Sequence, residues 1–141
     1  MKSVLISIRP QWCEKIASGE KTIEVRKTCP KLETPFKCYI YMTKGFASYV
    51  VSNGMQRYNL GGMVVIGEFV CDYINKIYAP FDGKTGGTCL NAKQIYYYAS
   101  RDFCYGWHIS ELKIYDTPKS LSEFGLTRAP QSWCYAEGGE G

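Results

Sequence analysis

The side chains best suited to chemistry lie together in residues 19–26, whose sequence is GEKTIEVR. Lys21, Glu24 and Arg26 offer an ammonium, a carboxylate and a guanidinium within this short segment. Such a set binds anions and polar rings, and it acts as an acid–base pair when burial or a neighbouring cation lowers the lysine pKa from its ordinary value of ~10.4. The alternative is a solvated strand edge, on which an Arg–Glu pair contributes at most ~1 kcal/mol to stability.

A helix and then a strand are predicted to position these side chains. The helix begins near Pro10, which suits a first helical turn, and Gly19 stands where a left-handed cap is favoured. Its apolar face repeats at helical spacing through Trp12, Cys13, Ile16 and Ala17. From Thr22 the pattern alternates, so that Thr22, Glu24 and Arg26 share one strand face. The lysine of the motif lies in the turn and can lean over that same face.

The motif Gly-x-Lys-x-x-Glu-x-Arg, at Gly19, Lys21, Glu24 and Arg26, resembles the hallmark of the ASCH domain (activating signal cointegrator homology) of the PUA-like superfamily. Five further stretches also resemble that family: Ile6–Pro10, Tyr39–Thr43, Val64–Phe69, Tyr105–Ile109 and Pro130–Tyr135. The resemblance implies an α+β, mainly β fold, a PUA-like β-barrel (pseudo-barrel) with two or three short covering helices. It also implies a cleft beside the helix that precedes the motif strand.

The rest of the sequence favours the same architecture. Strands are predicted at residues 3–8, 22–27, 37–43, 63–74, 107–116 and 133–136. Asn91 and Gln94 form a capping box for a helix running to about Ser100, with Ile95, Tyr98 and Ala99 facing inward. A short helical turn is predicted at Leu121–Phe124, and long loops are predicted at residues 44–62 and 79–90. We expect one domain over residues 1–136 and a flexible tail over residues 137–141.

Composition excludes several classes of protein. The seven cysteines are scattered without a Cys-x-x-Cys pair, which argues against a disulfide framework, and His108 is the sole histidine, so a zinc site is not expected. Gly83-Lys84-Thr85 is no P-loop, because Tyr78 stands where its first glycine is required. No apolar run approaches the ~18 residues of a membrane helix. We expect a soluble, cytoplasmic protein with no metal, no cofactor and no membrane partner.

Charge and aromatic content favour a nucleic-acid partner. Residues 1–44 carry nine Lys or Arg against four Glu, and the chain has twelve tyrosines, a type that stacks well on bases. The first hypothesis is therefore binding of RNA, or of a nucleoside or nucleotide, with single-stranded DNA as a further partner. The predicted contacts are Arg9, Trp12, Lys21, Glu24, Arg26, Lys27, Tyr41 and Trp133. Base preference and oligomeric state stay open.

The resemblance also implies a second hypothesis, because one branch of the family is an amidohydrolase that deacetylates cytidine acetylated on its exocyclic amine. Lys21 corresponds to the catalytic lysine of that branch, but its nucleophilic threonine corresponds to Glu24. Thr22 could replace that threonine, or Glu24 could activate water, and Glu68 is a candidate for an acid with a shifted pKa. A ribonuclease using Lys21, Glu24 and Arg26 ranks lower, since no histidine or metal is expected to assist. The sequence does not decide whether the protein is an enzyme.

Overall fold

The computed structural model describes residues 2–50 and 57–137, and all counts below refer to these residues. Its helices are α1 (Pro10–Ala17), α2 (Ala92–Ala99) and a 3-10 helix at Leu121–Phe124. Its strands are β1 (Ser3–Ile8), β2 (Ile23–Arg26), β3 (Phe36–Met42), β4 (Phe46–Val50), β5 (Arg57–Gly61), β6 (Val64–Tyr78), β7 (Phe103–Lys119) and β8 (Trp133–Ala136).

Local sequence signals explain where α1 ends and where α2 begins. Gly19, with φ of +85°, reverses the chain after α1 and delivers it to β2. The predicted capping box of α2 is present, with the Asn91 side chain accepting from the Gln94 N–H and the Gln94 side chain accepting from the Asn91 N–H. The glycine therefore fixes the end of α1, which precedes the motif strand, and the capping box fixes the start of α2, which follows the loop at residues 79–90.

Within the described residues, six strands form one mixed sheet in the order β2-β7-β6-β3-β1-β8, and β4 pairs with β5 in a separate hairpin. β1 runs parallel to β3, and the other neighbours are antiparallel. β6 and β7 pair over most of their length with several register shifts, which let this long ribbon bend around the core.

The centre of the sheet is buried on both faces. In β1, Val4 and Ile6 point into the main core with Trp107, while Leu5 points into a second cluster with Tyr39. This explains why the apolar residues Val4, Leu5 and Ile6 occupy consecutive positions in β1. α1 contributes to the main core through its apolar face, and α2 covers a third, smaller cluster around Val25, Phe81 and Ile95.

β2 and β8 are the two edges of the sheet and do not pair with each other. Side chains and loop backbone bridge the gap between these edges. Thr28, just after β2, accepts hydrogen bonds from two indole N–H groups. Trp107 donates to its carbonyl at 3.2 Å, and Trp133 of β8 donates to its hydroxyl at 2.9 Å. The Tyr135 hydroxyl also accepts from the Lys31 N–H at 2.8 Å. Side chains and loop backbone therefore form a seam between the two edges.

The α+β, mainly β pseudo-barrel expected from the sequence is confirmed. The loop predicted for residues 44–62 is wrong, because β4 and β5 form a hairpin there with Ala47 and Tyr49 buried. Ser48 is the one polar residue of β4, and the apolar Phe46 is exposed, so the sequence shows no apolar–polar alternation that would predict this strand. The predicted tail lies outside the described residues except for Glu137. In the part of the chain that the structure describes, no helix is long and apolar enough to cross a membrane.

Candidate functional site

The three charged side chains of the motif converge at the seam, where they are largely shielded from solvent. Their side-chain exposures are 1% for Lys21, 7% for Glu24 and 10% for Arg26. The Lys21 Nζ lies 3.6 Å from Glu24 Oε1, and Arg26 Nη2 lies 2.6 Å from Glu24 Oε2. The alternative of a solvated strand edge is therefore wrong.

Arg26 is fully engaged in holding the seam. Its Nε and Nη2 donate to Glu24 Oε2 at 2.9 and 2.6 Å, and Nη2 also donates to the Ser7 carbonyl at 2.6 Å. Its Nη1 donates to the carbonyl and hydroxyl of Ser132 at 3.2 and 3.1 Å. A guanidinium has five N–H donors, and these bonds use all five. Arg26 thus joins β2 to β1 and to the start of β8, and it has no donor left for the direct ligand contact that the sequence predicted.

Lys21 and Glu24 keep unused hydrogen-bonding capacity. Lys21 Nζ donates to the Thr88 carbonyl and lies 5.1 Å from the centre of the Trp12 ring. An ammonium has three donors, so one or more of them can serve a ligand. Glu24 Oε2 takes both bonds from Arg26, whereas Oε1 receives no hydrogen bond from any described residue. A donor and an acceptor therefore lie side by side at this point.

A cleft of about 950 Å³ opens directly over these groups. Its floor is the motif triad, and one wall is formed by Trp12 of α1. α2 also lines the cleft, through Gln94 and Tyr98. The remaining lining comes from the strand ends and loops, through Ser7, Val25, Thr28, Thr43, Leu90, Gln131 and Ser132, with Arg9 and Lys27 as cations.

The rim of the cleft is basic and aromatic. Arg9 and Lys27 are exposed, and the Lys27 ammonium lies 5.4 Å from the centre of the Tyr98 ring. Neither cation forms an ion pair with a carboxylate within the described part of the chain. Burial raises the pKa of Tyr98, with the Glu24 charge adding to this against the opposing charge of Arg26, so its hydroxyl stays protonated at neutral pH.

Two of the predicted aromatic contacts lie elsewhere. Tyr41 is buried in the second cluster with Leu5 and Phe124, because its position in β3 points to the face opposite the main core. Trp133 does not line the cleft. Its ring packs edge-on against that of Trp107, with the ring centres 5.9 Å apart, and its indole N–H donates to Thr28 in the seam. Tyr41 is therefore a core residue, and Trp133 is a structural neighbour of the site.

Two of the predicted catalytic residues also lie outside the cleft. Thr22 is exposed, and its hydroxyl lies against Gly87. Glu68 accepts a hydrogen bond from Tyr115 at 2.7 Å and pairs with Lys37 at 2.9 Å. Burial raises the pKa of Glu68, but these two partners outweigh burial and hold the pKa below its ordinary value. Glu68 is thus an ionised carboxylate in a surface pair, and the structure does not place it as an acid in the cleft.

The groups that contact the motif side chains but were not identified from the sequence come from segments distant along the chain. Thr88 and Ser132 contribute backbone carbonyls to the motif cations, and a carbonyl carries no sequence signature. Tyr98 was expected to face inward with Ile95, yet it remains 37% exposed at the cleft. Tyr96 and Tyr97 of the same helix are exposed at 59% and 67%.

The remaining reactive groups do not contribute to the cleft. His108 pairs with Asp72 at 2.5 Å and stacks on Tyr73, and it is not a lining residue. Cys13 lies behind the triad, where burial and the Glu24 charge raise the pKa of its thiol and keep it neutral. Over residues 2–50 and 57–137, no group of three or more His, Cys, Asp or Glu side chains could hold a metal ion.

Neither a protein-family model nor a curated protein matches the sequence. Crystal structures of the ASCH protein of Zymomonas mobilis, ZmASCH, are similar to this chain. A Tyr-to-Phe variant of ZmASCH gives a TM-score of 0.74 at 18% identity, covering 99% of this chain and 93% of that chain. A Ser-to-Ala variant gives a TM-score of 0.72 at 18% identity, covering 97% of this chain and 89% of that chain. A third ZmASCH structure gives a TM-score of 0.70 at 19% identity, covering 94% of this chain and 86% of that chain. The chain thus has the ASCH-domain fold that the motif predicted.

Proposed function

From the ASCH-domain fold and the geometry of its cleft, we propose that this protein binds RNA, or a nucleoside or nucleotide, with one base seated over Lys21 and Glu24. The observation that carries the proposal is the donor–acceptor pair on the cleft floor, which Arg26 and Thr88 hold in place through their hydrogen bonds. Such a pair is unfavourable to bury, so a cleft that keeps it suits a ligand with matching polar groups.

The floor matches the hydrogen-bonding edge of an amino-bearing base. Glu24 Oε1 can accept from an exocyclic amine, and the Lys21 ammonium can donate to an adjacent ring nitrogen or carbonyl. Cytosine and adenine present an exocyclic amine beside an unprotonated ring nitrogen, whereas uracil offers the carboxylate only its single ring N3–H, which lies between two carbonyls, so that one carbonyl would lie next to the Glu24 carboxylate. We therefore expect cytidine and adenosine nucleotides to bind more tightly than uridine nucleotides.

The walls and rim supply the other two parts of nucleotide recognition. Trp12 of α1 and Tyr98 of α2 both line the cleft with aromatic rings, and each base stacked on such a ring contributes ~1–3 kcal/mol in single-strand-binding proteins. Arg9 and Lys27 are the exposed cations at the cleft and serve the phosphate. Arg26 acts as a positioning residue for Glu24.

Titration of the purified protein with cytidine, adenosine and uridine monophosphates tests the proposal. Lys21→Met keeps the apolar stem and the Glu24–Arg26 pair but removes the ammonium, and we expect at least tenfold weaker binding, equivalent to ~1.4 kcal/mol. The matched control is Lys2→Met, since the Lys2 ammonium also lies 5.1 Å from an aromatic ring, that of Tyr135, and Lys2 does not line the cleft. Equal affinity for all three nucleotides, unaffected by Lys21→Met, would contradict the proposal.

Hydrolysis of acetylated cytidine is the second candidate, favoured by the open Glu24 Oε1 beside the Lys21 ammonium. Glu24 would take a proton from water as the oxygen attacks the amide carbon, and Lys21 would stabilise the resulting oxyanion. Collapse of that intermediate would release acetate and cytidine, with the proton passing to the leaving amine. Thr22 is not available as a nucleophile because it lies outside the cleft.

Incubation with acetylated cytidine separates the two candidates. Binding alone predicts that the compound is recovered intact, whereas hydrolysis predicts cytidine and acetate in equal amounts. Product that persists in Glu24→Gln would exclude Glu24 as the base, because an amide cannot accept the proton from water at neutral pH.

A further inference from the structure

A row of cations and exposed rings leads away from the cleft. It starts at Lys27 on the cleft rim, whose carbonyl accepts a hydrogen bond from Arg101 Nη2. The guanidinium carbon of Arg101 lies 3.8 Å from the centre of the Phe103 ring, and the Lys76 ammonium lies 4.2 Å from the same centre. Lys76 also lies 5.4 Å from the Tyr78 ring. We call Lys27, Lys76, Tyr78, Tyr97, Arg101 and Phe103 the basic strip.

The pairing of β6 with β7 fixes the relative positions of the strip residues on these two strands. Tyr78 at the end of β6 lies opposite Phe103 at the start of β7, and Lys76 lies opposite Tyr105, so these four side chains are cross-strand neighbours on one face. The Phe103 ring is 6.3 Å from that of Tyr78 and 5.9 Å from that of Tyr105. The Lys76, Tyr78 and Phe103 part of the strip is therefore built on paired strands.

The cations of the strip have rings as partners and lack carboxylates. Among the described residues, no ion pair within 4.0 Å involves Lys27, Lys76 or Arg101. Their positive charge remains available to an anionic partner, since a neighbouring ring attracts a cation without neutralising it. Asp102 lies beside Arg101 in a neighbouring pocket of about 390 Å³ and lowers the local positive potential.

Two rings of the strip present open surface for stacking. Tyr78 is 52% exposed, and Tyr97, which lines the same pocket as Arg101, is 67% exposed. Phe103 is half-buried, and its contacts with Lys76 and Arg101 help to fix the positions of both cations. Cations alternating with exposed rings are the pattern by which proteins hold single-stranded nucleic acid with little sequence preference.

We propose that the basic strip binds the phosphates and bases of a single-stranded RNA next to the nucleotide in the cleft. This inference rests on the proposed function and deepens it, because it makes the preferred ligand a polynucleotide strand and not a free nucleoside. Continuity through Lys27 and charge complementarity identify the occupant: the strand leaves the cleft at Lys27 and passes Arg101 and Lys76.

The test compares a mononucleotide with a strand in wild-type protein and in variants outside the cleft. The probes are cytidine monophosphate and an oligocytidylate of about eight nucleotides, within the ~4–16 nucleotides that single-strand-binding domains cover. For Lys76→Ala combined with Tyr78→Ala we expect roughly tenfold weaker binding of the oligonucleotide, with unchanged binding of the mononucleotide. The salt dependence of log Kd should flatten by about 0.7, because one phosphate of the strand no longer pairs with a lysine.

Two further variants make the result specific. Lys119→Ala is the control, since Lys119 also lies over a tyrosine ring, at 4.5 Å from Tyr115, but at the far end of β7; it should leave both affinities unchanged. Asp102→Asn should strengthen oligonucleotide binding and leave mononucleotide binding unchanged, because it removes a negative charge beside Arg101.

The outcomes distinguish this inference from the proposed function. Wild-type protein that binds the mononucleotide but gains no affinity with strand length would overturn the strip and leave the cleft proposal standing. A loss in Lys76→Ala with Tyr78→Ala that is equal for both probes would also overturn the strip. Wild-type protein that binds neither probe would overturn both.

Discussion

Replacing Arg26 by alanine tests whether the motif arginine closes the barrel. The change removes five hydrogen bonds, two of which reach the Glu24 carboxylate while three reach Ser7 and Ser132 across the seam. Because β2 and β8 are unpaired sheet edges, these bonds cannot be replaced by strand pairing. The Glu24 side chain, 7% exposed, would also lose its closest counter-charge.

The size of the effect follows from burial. Removing one partner of a buried ion pair costs ~3–5 kcal/mol, against at most ~1 kcal/mol for an exposed pair. Lys21 remains 3.6 Å from Glu24 and compensates part of its charge. We therefore expect a loss near the lower end of the buried range, about 3 kcal/mol. For a chain of this size that corresponds to a fall in Tm of roughly 10 °C.

Urea denaturation followed by circular dichroism measures the loss of stability in Arg26→Ala directly. A double-mutant cycle with Glu24→Gln measures the coupling free energy between Arg26 and Glu24. We expect the double variant to lose less stability than the two single variants together, by ~1–3 kcal/mol, because it no longer buries an uncompensated charge. The control is Lys15→Ala, which breaks the Lys15–Glu20 pair, whose side chains are 47% and 58% exposed, and should hardly move the midpoint. An Arg26→Ala midpoint indistinguishable from that control would refute the closure role.

Three further predictions concern stability, reactivity and the loop beside the motif. The Lys37 and Tyr115 partners hold the pKa of Glu68 below its ordinary value, so the stability advantage of wild type over Glu68→Gln should be full at neutral pH and be lost in acid, as the pH falls through that lowered pKa in acid-denaturation curves. A thiol reagent at pH 8 should modify the exposed Cys89 first, while Cys71, whose pKa burial raises to about 12, reacts only on unfolding, as mass spectrometry would show. Gly87→Ala should lower the free energy of unfolding in urea by ~1–2 kcal/mol, since φ at Gly87 is +81° and the new Cβ would lie 2.5 Å from the Thr22 hydroxyl. The same change should weaken nucleotide binding, because the carbonyl of the next residue, Thr88, accepts a hydrogen bond from Lys21.

Local signals predicted the parts of the fold that neighbouring residues determine. The Asn91–Gln94 capping box fixed the start of α2, and the alternation after Thr22 correctly placed Glu24 and Arg26 on one face. Strand ends were less accurate, since β6 and β7 continue through exposed residues that only their mutual pairing keeps extended. Tyr41 was misplaced because a strand buried on both faces gives no indication of which face meets the cleft.

The candidate site could be predicted only where it depends on side chains close together in the sequence. Lys21, Glu24 and Arg26 were predicted to lie together from their spacing and from its resemblance to the ASCH motif, and their side chains do converge. The groups that orient the motif cations, the carbonyls of Ser7, Thr88 and Ser132, belong to segments distant along the chain. Any residue supplies the same backbone carbonyl, so these hydrogen bonds emerge only when the strands have assembled.

Closure of the barrel and formation of the cleft are consequences of one arrangement. Two sheet edges that fail to pair leave a gap, and the gap must be filled by groups that satisfy the exposed carbonyls on both sides. Arg26 satisfies the carbonyls of Ser7 and Ser132 and at the same time fixes one oxygen of Glu24, which leaves the other oxygen facing the cleft. The hydrogen bonds of Arg26 therefore assign it a structural role, whereas under the proposed function Lys21 and Glu24 contact the ligand. Arg26→Ala and Lys21→Met should separate these roles, the first lowering stability strongly and the second lowering affinity in a protein that remains folded.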